Sequence, residues 1–119
     1  KLLSGGQRQA LTLLMATMTE PKLLLLDEHT AALDPNTAVK IKELTEKLIK
    51  ENNITTLMVT HDMNDAIKMG NRLIMMNKGN IILDIKGKRK NNLTVEKLLD
   101  IFKKKQGSKY SDDRTLLSV

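Results

Sequence analysis

The chain has 119 residues, 40% hydrophobic and 29% charged, with a formal net charge of +6, which is ordinary for one globular domain. It has no cysteine, which excludes a disulfide framework and thiol chemistry, and its longest purely aliphatic run, Leu23 to Leu26, is far too short to span a membrane. No signal-peptide pattern is visible in these residues. The charge is uneven: residues 1–80 carry ten Lys/Arg against nine Asp/Glu, whereas residues 81–119 carry ten against five. The excess lies in Lys86-Gly87-Lys88-Arg89-Lys90 and Lys103-Lys104-Lys105, a pattern that suits an anionic surface but more commonly marks a solvated face. With one Tyr and one Phe there is no aromatic platform for stacking bases, so no nucleic acid is expected as a partner.

In chain order, Leu3-Ser4-Gly5-Gly6-Gln7 is a glycine loop feeding an amphipathic helix. Ser4 and Gln7 fit the S-x-x-Q capping box, and a capped helix start offers unpaired N–H groups to an anion. Leu11, Leu14, Met15 and Met18 recur at helical spacing and predict the buried face of this helix, which Pro21 stops. Lys22 to Leu26 reads as a strand buried on both faces, ending in Asp27-Glu28. Asp34-Pro35 opens a second helix, whose stripe is Ala38, Ile41, Leu44, Leu48 and Ile49, with Glu43–Lys47 and Glu46–Lys50 as pairs on the wet side. Asn52-Asn53 ends it, and Ile54 to Thr60 is a second strand, followed by His61-Asp62. Strand, helix, strand predicts a βαβ unit with parallel strands. A short helix from about Met63 to Met69 follows, then a hairpin of Arg72–Met76 and Asn80–Ile85, then a helix from Thr94 to about Lys105. The polar stretch from Gln106 is expected to fray, with Leu116-Leu117 available to dock.

Ligands of parallel sheets sit beyond the carboxyl ends of the strands. Asp27 and Glu28 end one strand and His61 the next, so two carboxylates and an imidazole reach one rim. Adjacent acids at an apolar edge repel each other and lose solvation, so stability alone is a poor reason for them. An Asp ending an aliphatic strand suits a Mg²⁺ that bridges nucleotide phosphates, and a carboxylate beside it suits a general base.

Leu3-Ser4-Gly5-Gly6-Gln7, Leu23-Leu24-Leu25-Leu26-Asp27-Glu28, Ala32-Leu33-Asp34 and Val59-Thr60-His61-Asp62 together resemble the second half of an ATP-binding-cassette ATPase. They correspond to its signature, Walker B, D-loop and switch-histidine motifs, in the family's order. The resemblance covers residues 1 to about 86. It implies an α/β, parallel-sheet P-loop NTPase fold present only as its C-terminal portion, with a C-terminal β-hairpin and helix. Residues 1–86 would be the C-terminal part of the ATP-binding domain, and residues 87–119 a basic helix and tail. It further implies ATP and Mg²⁺ as cofactors, with Asp27 acting on the metal through water, Glu28 as catalytic base and His61 as switch histidine. Ser4, Gly5, Gly6 and Gln7 would contact the γ-phosphate of an ATP held by a second subunit of a homodimer, and Asp34 would lie at that dimer interface.

Two departures stand out. His29 occupies a position where the family commonly has Pro, and no G-x-x-x-x-G-K-[ST] occurs. Because Lys1 opens directly on the signature, the chain is expected to be a piece of a longer protein whose P-loop lies upstream; alone it should not hydrolyse ATP. Thr60-His61-Asp62-Met63-Asn64-Asp65-Ala66 and Arg72-Leu73-Ile74-Met75-Met76-Asn77-Lys78-Gly79 are similar to segments of importer-type subunits. The resemblance thus implies a cytoplasmic ATPase, peripheral on the inner face of the cell membrane, with permease subunits and a substrate-binding protein as partners. The other class open to the motifs is a soluble cassette ATPase acting on DNA, chromosomes or ribosomes.

Overall fold

A computed structural model describes the backbone of residues 3–117 and the side chains of residues 3–106. Two compact units divide between His61 and Asp62.

The first unit is α/β. Helix α1, Gly5–Met18, starts on Ser4, whose hydroxyl accepts the Gln7 N–H at 3.2 Å while Gln7 Oε1 accepts the Ser4 N–H at 3.0 Å. The reciprocal bonds satisfy two donors that a helix start otherwise leaves open. Strand β1, Leu24–Asp27, leads through a loop to α2, Pro35–Asn52, and then to β2, Thr56–Val59. The strands are parallel, with Leu24 opposite Thr56 and Asp27 opposite Val59, as the βαβ reading requires. Helix α2 begins with the expected Asp34 cap and Pro35 and stops where Asn53 turns left-handed at φ 49°.

One face of this sheet is covered. Leu24 and Leu26 of β1 pack with Leu13 of α1 and with Ile54, and Ala16, Leu44, Leu48, Ile49 and Met58 close around them. Each apolar side chain so buried contributes about 1.5–3 kcal/mol. On the other face Leu23, Leu25, Leu57 and Val59 are exposed, so β1 is not buried on both faces as its continuous leucines predict. A continuous run does not say how many faces find cover; among the described residues only one does.

Helix α1 buries a different side from the one its periodicity predicts. Its buried residues are Gly6, Leu13 and Thr17, whereas Leu11, Leu14, Met15 and Met18, the predicted core stripe, are exposed. The helix is apolar on more than one side, and packing selected the side with the smaller residues. In α2, Ala38 and Ile41 are buried as expected, but the third fully enclosed position is Thr45, at 0% exposure. On its wet side Lys47 pairs with Glu51 at 4.0 Å, a different i, i+4 pair from the two predicted, and at this exposure it contributes little.

The second unit begins with α3, Met63–Lys68, capped by Asp62, which accepts the Asn64 N–H at 2.8 Å and the Asp65 N–H at 3.2 Å. Strands β3, Arg72–Asn77, and β4, Asn80–Lys86, form the predicted antiparallel hairpin. Lys78 and Gly79 turn it, both at positive φ (50° and 78°), the arrangement that matches the twist of a two-residue hairpin. Asp84 accepts from Arg72 Nε at 2.8 Å and Nη2 at 2.6 Å, and the guanidinium holds this carboxyl below the usual aspartate range. A four-residue helix α4, Lys88–Asn91, was not anticipated, and α5, Val95–Leu117, runs well past the predicted Lys105. The stretch from Gln106 is therefore helical to Leu117; whether Leu116 and Leu117 dock concerns side chains outside the described residues. No helix among the described residues is long and apolar enough to cross a membrane.

Lys90 leaves the basic cluster to which the sequence assigns it. Its residue is 2% exposed, and Nζ donates to the carbonyls of Ile67, Met69 and Gly70 at the end of α3. Burial lowers its pKa below the ordinary lysine value. The ammonium thus satisfies carbonyls that a helix end leaves without partners. Replacing Lys90 with Met removes a buried charge yet strands these acceptors. We expect Lys90→Met to cost about 1–3 kcal/mol in denaturant titrations, where a hydrophobic-burial account would predict a gain.

Candidate functional site

The two strand ends deliver what their sequence promises. Asp27 closes β1, exposed, on the same side of the sheet as Leu25. Its carbonyl is followed by a reversal at Glu28, whose backbone is left-handed at φ 47° and whose N–H donates to Val59 O at 2.8 Å. That bond fastens the end of β1 to the end of β2. Beyond β2, His61 turns back, and its Nε2 meets Glu28 Oε1 at 2.5 Å. The Glu28 side chain is 35% exposed and the His61 ring 92% exposed, so water and ligands reach both.

Such a pair is chemically apt. A half-enclosed carboxylate can accept a proton from water, and an imidazole on the same oxygen can hold its orientation or donate to an anion placed beside it. Asp27 supplies a hard oxygen donor next to them. No group of three or more His, Cys, Asp or Glu side chains converges for a metal among the described residues. The single exposed carboxylate fits Mg²⁺, which keeps several waters and takes one or two carboxylates beside phosphates. It does not fit a cage that binds metal with protein ligands alone.

The glycine loop meets the other helix start. A Cβ on Gly5 would lie 3.5 Å from Leu33 Cδ2, and one on Gly6 would overlap the Thr37 methyl. Gly6 therefore lets the first turn of α1 close onto the first turn of α2. Asp34 caps α2 by accepting the Thr37 N–H at 3.1 Å. The structure thus brings Gly5 and Gly6 beside the Leu33–Thr37 segment. The capping box uses the Ser4 hydroxyl and Gln7 Oε1 as acceptors, which leaves the Ser4 O–H and the Gln7 amide as donors at an exposed helix N-terminus. These are the groups an anion needs.

Sequence reading missed two residues. Gln9 Nε2 donates to the His29 carbonyl, tying α1 to the loop after Glu28. His29 Nε2 lies 3.0 Å from Thr45 Oγ1, which itself donates to Ile41 O at 2.6 Å. A polar residue on the apolar stripe of α2, four positions after Ile41, was the available signal for Thr45; Gln9 had none.

Residues 1–31 match a family model described as ABC transporter. The chain is 59% identical over 100 residues to the tyrosine transport ATP-binding protein of Clostridioides difficile, covering 84% of this chain and 40% of that protein. It is 45% identical over 82 residues to the aliphatic sulfonates import ATP-binding protein SsuB 1 of Paraburkholderia xenovorans, covering 69% and 24%. A similar match to SsuB 2 of Agrobacterium fabrum is 45% identical over 83 residues, covering 70% and 32%. The chain is ABC-type ATP-binding sequence. It spans less than half the length of these relatives.

Within this ABC-type sequence the Gly6–Thr37 closure and the Asp34 cap can each be tested. Gly6→Ala should destabilise the first unit by about 1–3 kcal/mol in chemical denaturation, and Thr37→Ser, which removes the methyl it meets, should recover part of the loss. For Asp34, hydrogen bonds from the Thr37 side chain and backbone hold its carboxyl below the ordinary 3.8. The unfolded chain then binds that proton more readily, so the stabilisation is present above 3.8 and fades as pH falls through the lower folded value. Asp34→Ala should accordingly lower the melting temperature at neutral pH, with the gap to the parent protein narrowing on acidification below that point.

Proposed function

We propose that this chain is the C-terminal portion of the ATP-binding subunit of an importer-type ABC transporter, with a P-loop NTPase fold whose remaining part lies upstream. Residues 1–86 supply the ATP-binding portion and residues 87–119 an appended helix and tail. The observation that carries the reading is the Glu28–His61 contact at the ends of two parallel strands, beside Asp27. The exposed Leu25, Leu57 and Val59 support a partial cassette, since the rest of such a domain would add cover to that sheet face.

In this reading Glu28 takes the proton of the attacking water, to which its half-enclosed carboxylate stays accessible. His61, already on Glu28, aligns the carboxylate and can turn a ring N–H toward a phosphate oxygen. Asp27 would hold Mg²⁺ through water; the metal supplies neutralisation of phosphate charge. The Ser4 hydroxyl, the Gln7 amide and the N–H groups of Gly5 and Gly6 bind the γ-phosphate of ATP from a second ATP-binding subunit, with Asp34 at the interface of that homodimer. A helix N-terminus favours phosphate for the same electrostatic reason. The subunit works on the cytoplasmic face of the membrane with permease subunits and a substrate-binding protein. Relatives named for tyrosine and for aliphatic sulfonates share this stretch. Their cargoes differ chemically, which supports cargo selection by those other subunits.

In the full-length protein, Glu28→Gln should retain ATP binding and lower turnover about 100-fold or more, measured by phosphate release. Residues 1–119 alone should release no phosphate above background from Mg²⁺-ATP. Wild-type turnover by the Gln variant would remove Glu28 from the chemistry, and turnover by the isolated chain would refute the need for upstream sequence.

A further inference from the structure

Glu28 is held in a backbone conformation that costs a non-glycine residue energy and persists only where its surroundings enforce it. Upstream, the enforcement is the Glu28 N–H bond to Val59 O. Downstream, the Glu28 carbonyl accepts the Ala31 N–H at 3.1 Å, and His29 ties the turn to the helices. The His29 carbonyl accepts from Gln9 of α1, and its ring reaches Thr45 of α2, the most deeply enclosed hydrogen-bonding side chain in the unit. Thr45 has one hydroxyl proton and gives it to Ile41 O at 2.6 Å. Its oxygen must therefore accept from His29, which fixes the proton on Nε2. A single residue, adjacent to the carboxylate, is thereby bonded to both helices beneath the sheet.

We propose that His29 is a positioning residue, and that its Nε2–H bond to Thr45 holds the Glu28 carboxylate at the rim where it meets His61. The inference rests on the reading of Glu28 as the base. It assigns a role to a position where the family resemblance leads one to expect proline. Proline stiffens a loop through its own ring, with φ locked and no side-chain partner required. Histidine does not restrict φ in this way, and the bond to Thr45 adds to the loop's own turn bonds an anchor outside it, in a site shielded from competing water. The role is one of hydrogen bonding and geometry, and does not depend on His29 changing charge.

The test is steady-state Mg²⁺-ATP hydrolysis by the full-length protein in its assembled transporter, comparing His29→Ala, His29→Gln, Thr45→Val and the Ala/Val double variant with Glu28→Gln as reference. A base moved off its position by about 1 Å costs up to roughly 100-fold in rate. His29→Ala and Thr45→Val should each lower kcat about tenfold or more with KM for ATP changed less than about twofold, the pattern of an interaction realised in the transition state. The double variant should be no slower than either single one, because both break the same bond. His29→Gln, whose amide reaches as far as Nε2, should restore most of kcat. Wild-type kcat in both single variants, additive losses, or a loss in KM and melting temperature with kcat intact would each overturn the proposal while leaving Glu28 as the base. Wild-type turnover in Glu28→Gln would overturn that reading and the proposal together. If His29→Ala fails to fold, Thr45→Val and His29→Gln decide the question.

Discussion

Everything at the strand ends depends on the burial of Leu24 and Leu26 against α1, α2 and Ile54. These two leucines set the facing of β1, and with a side-chain period of two they commit Leu25 and Asp27 to the opposite face. A slip of one residue would turn Asp27 toward the apolar core, at a desolvation cost. The position of Asp27, and of Glu28 after it, is thus fixed by hydrophobic packing elsewhere along the strand. The parallel register with β2 then places His61 within reach of Glu28.

Local hydrogen bonds refine what packing begins. The Ser4–Gln7 box, the Asp34 cap and the Asp62 cap start three helices at side chains whose sequence announces them. Two of these starts meet through Gly6, where the absence of a Cβ admits Thr37. The loop between β1 and α2 is held where it leaves the strand, by Val59 O and by the Gln9–His29–Thr45 contacts, and where it enters α2, by the Asp34 cap. A rim built on bonded loops can hold a carboxylate in an unfavourable backbone geometry, which a freely moving loop cannot.

Polar groups are placed inside the units for comparable reasons. Thr45 is enclosed because its hydroxyl has both a carbonyl to donate to and an imidazole to accept from. Lys90 is enclosed because three carbonyls at the end of α3 receive its ammonium. In each case the cost of burial is offset by complete hydrogen bonding, and no buried side-chain polar atom among the described residues lacks a partner.

The sequence by itself determined the helix starts, the strand–helix–strand order, the hairpin turn and the strand-end acids and histidine. Each of these is written in short-range chemistry: a capping side chain, a proline, a glycine with positive φ, or a break from aliphatic to charged residues. It could not determine which face of an ambiguous element is buried. Leu11, Leu14, Met15 and Met18 satisfy a helical period as well as Leu13 and Thr17 do, and four consecutive leucines fit one covered face or two. Nor did it reveal that Lys90 leaves its basic run, or that Gln9, His29 and Thr45 converge across separations of 20 and 16 residues. Those choices compare alternative packings of the whole unit, and no local window of sequence contains the surfaces being compared.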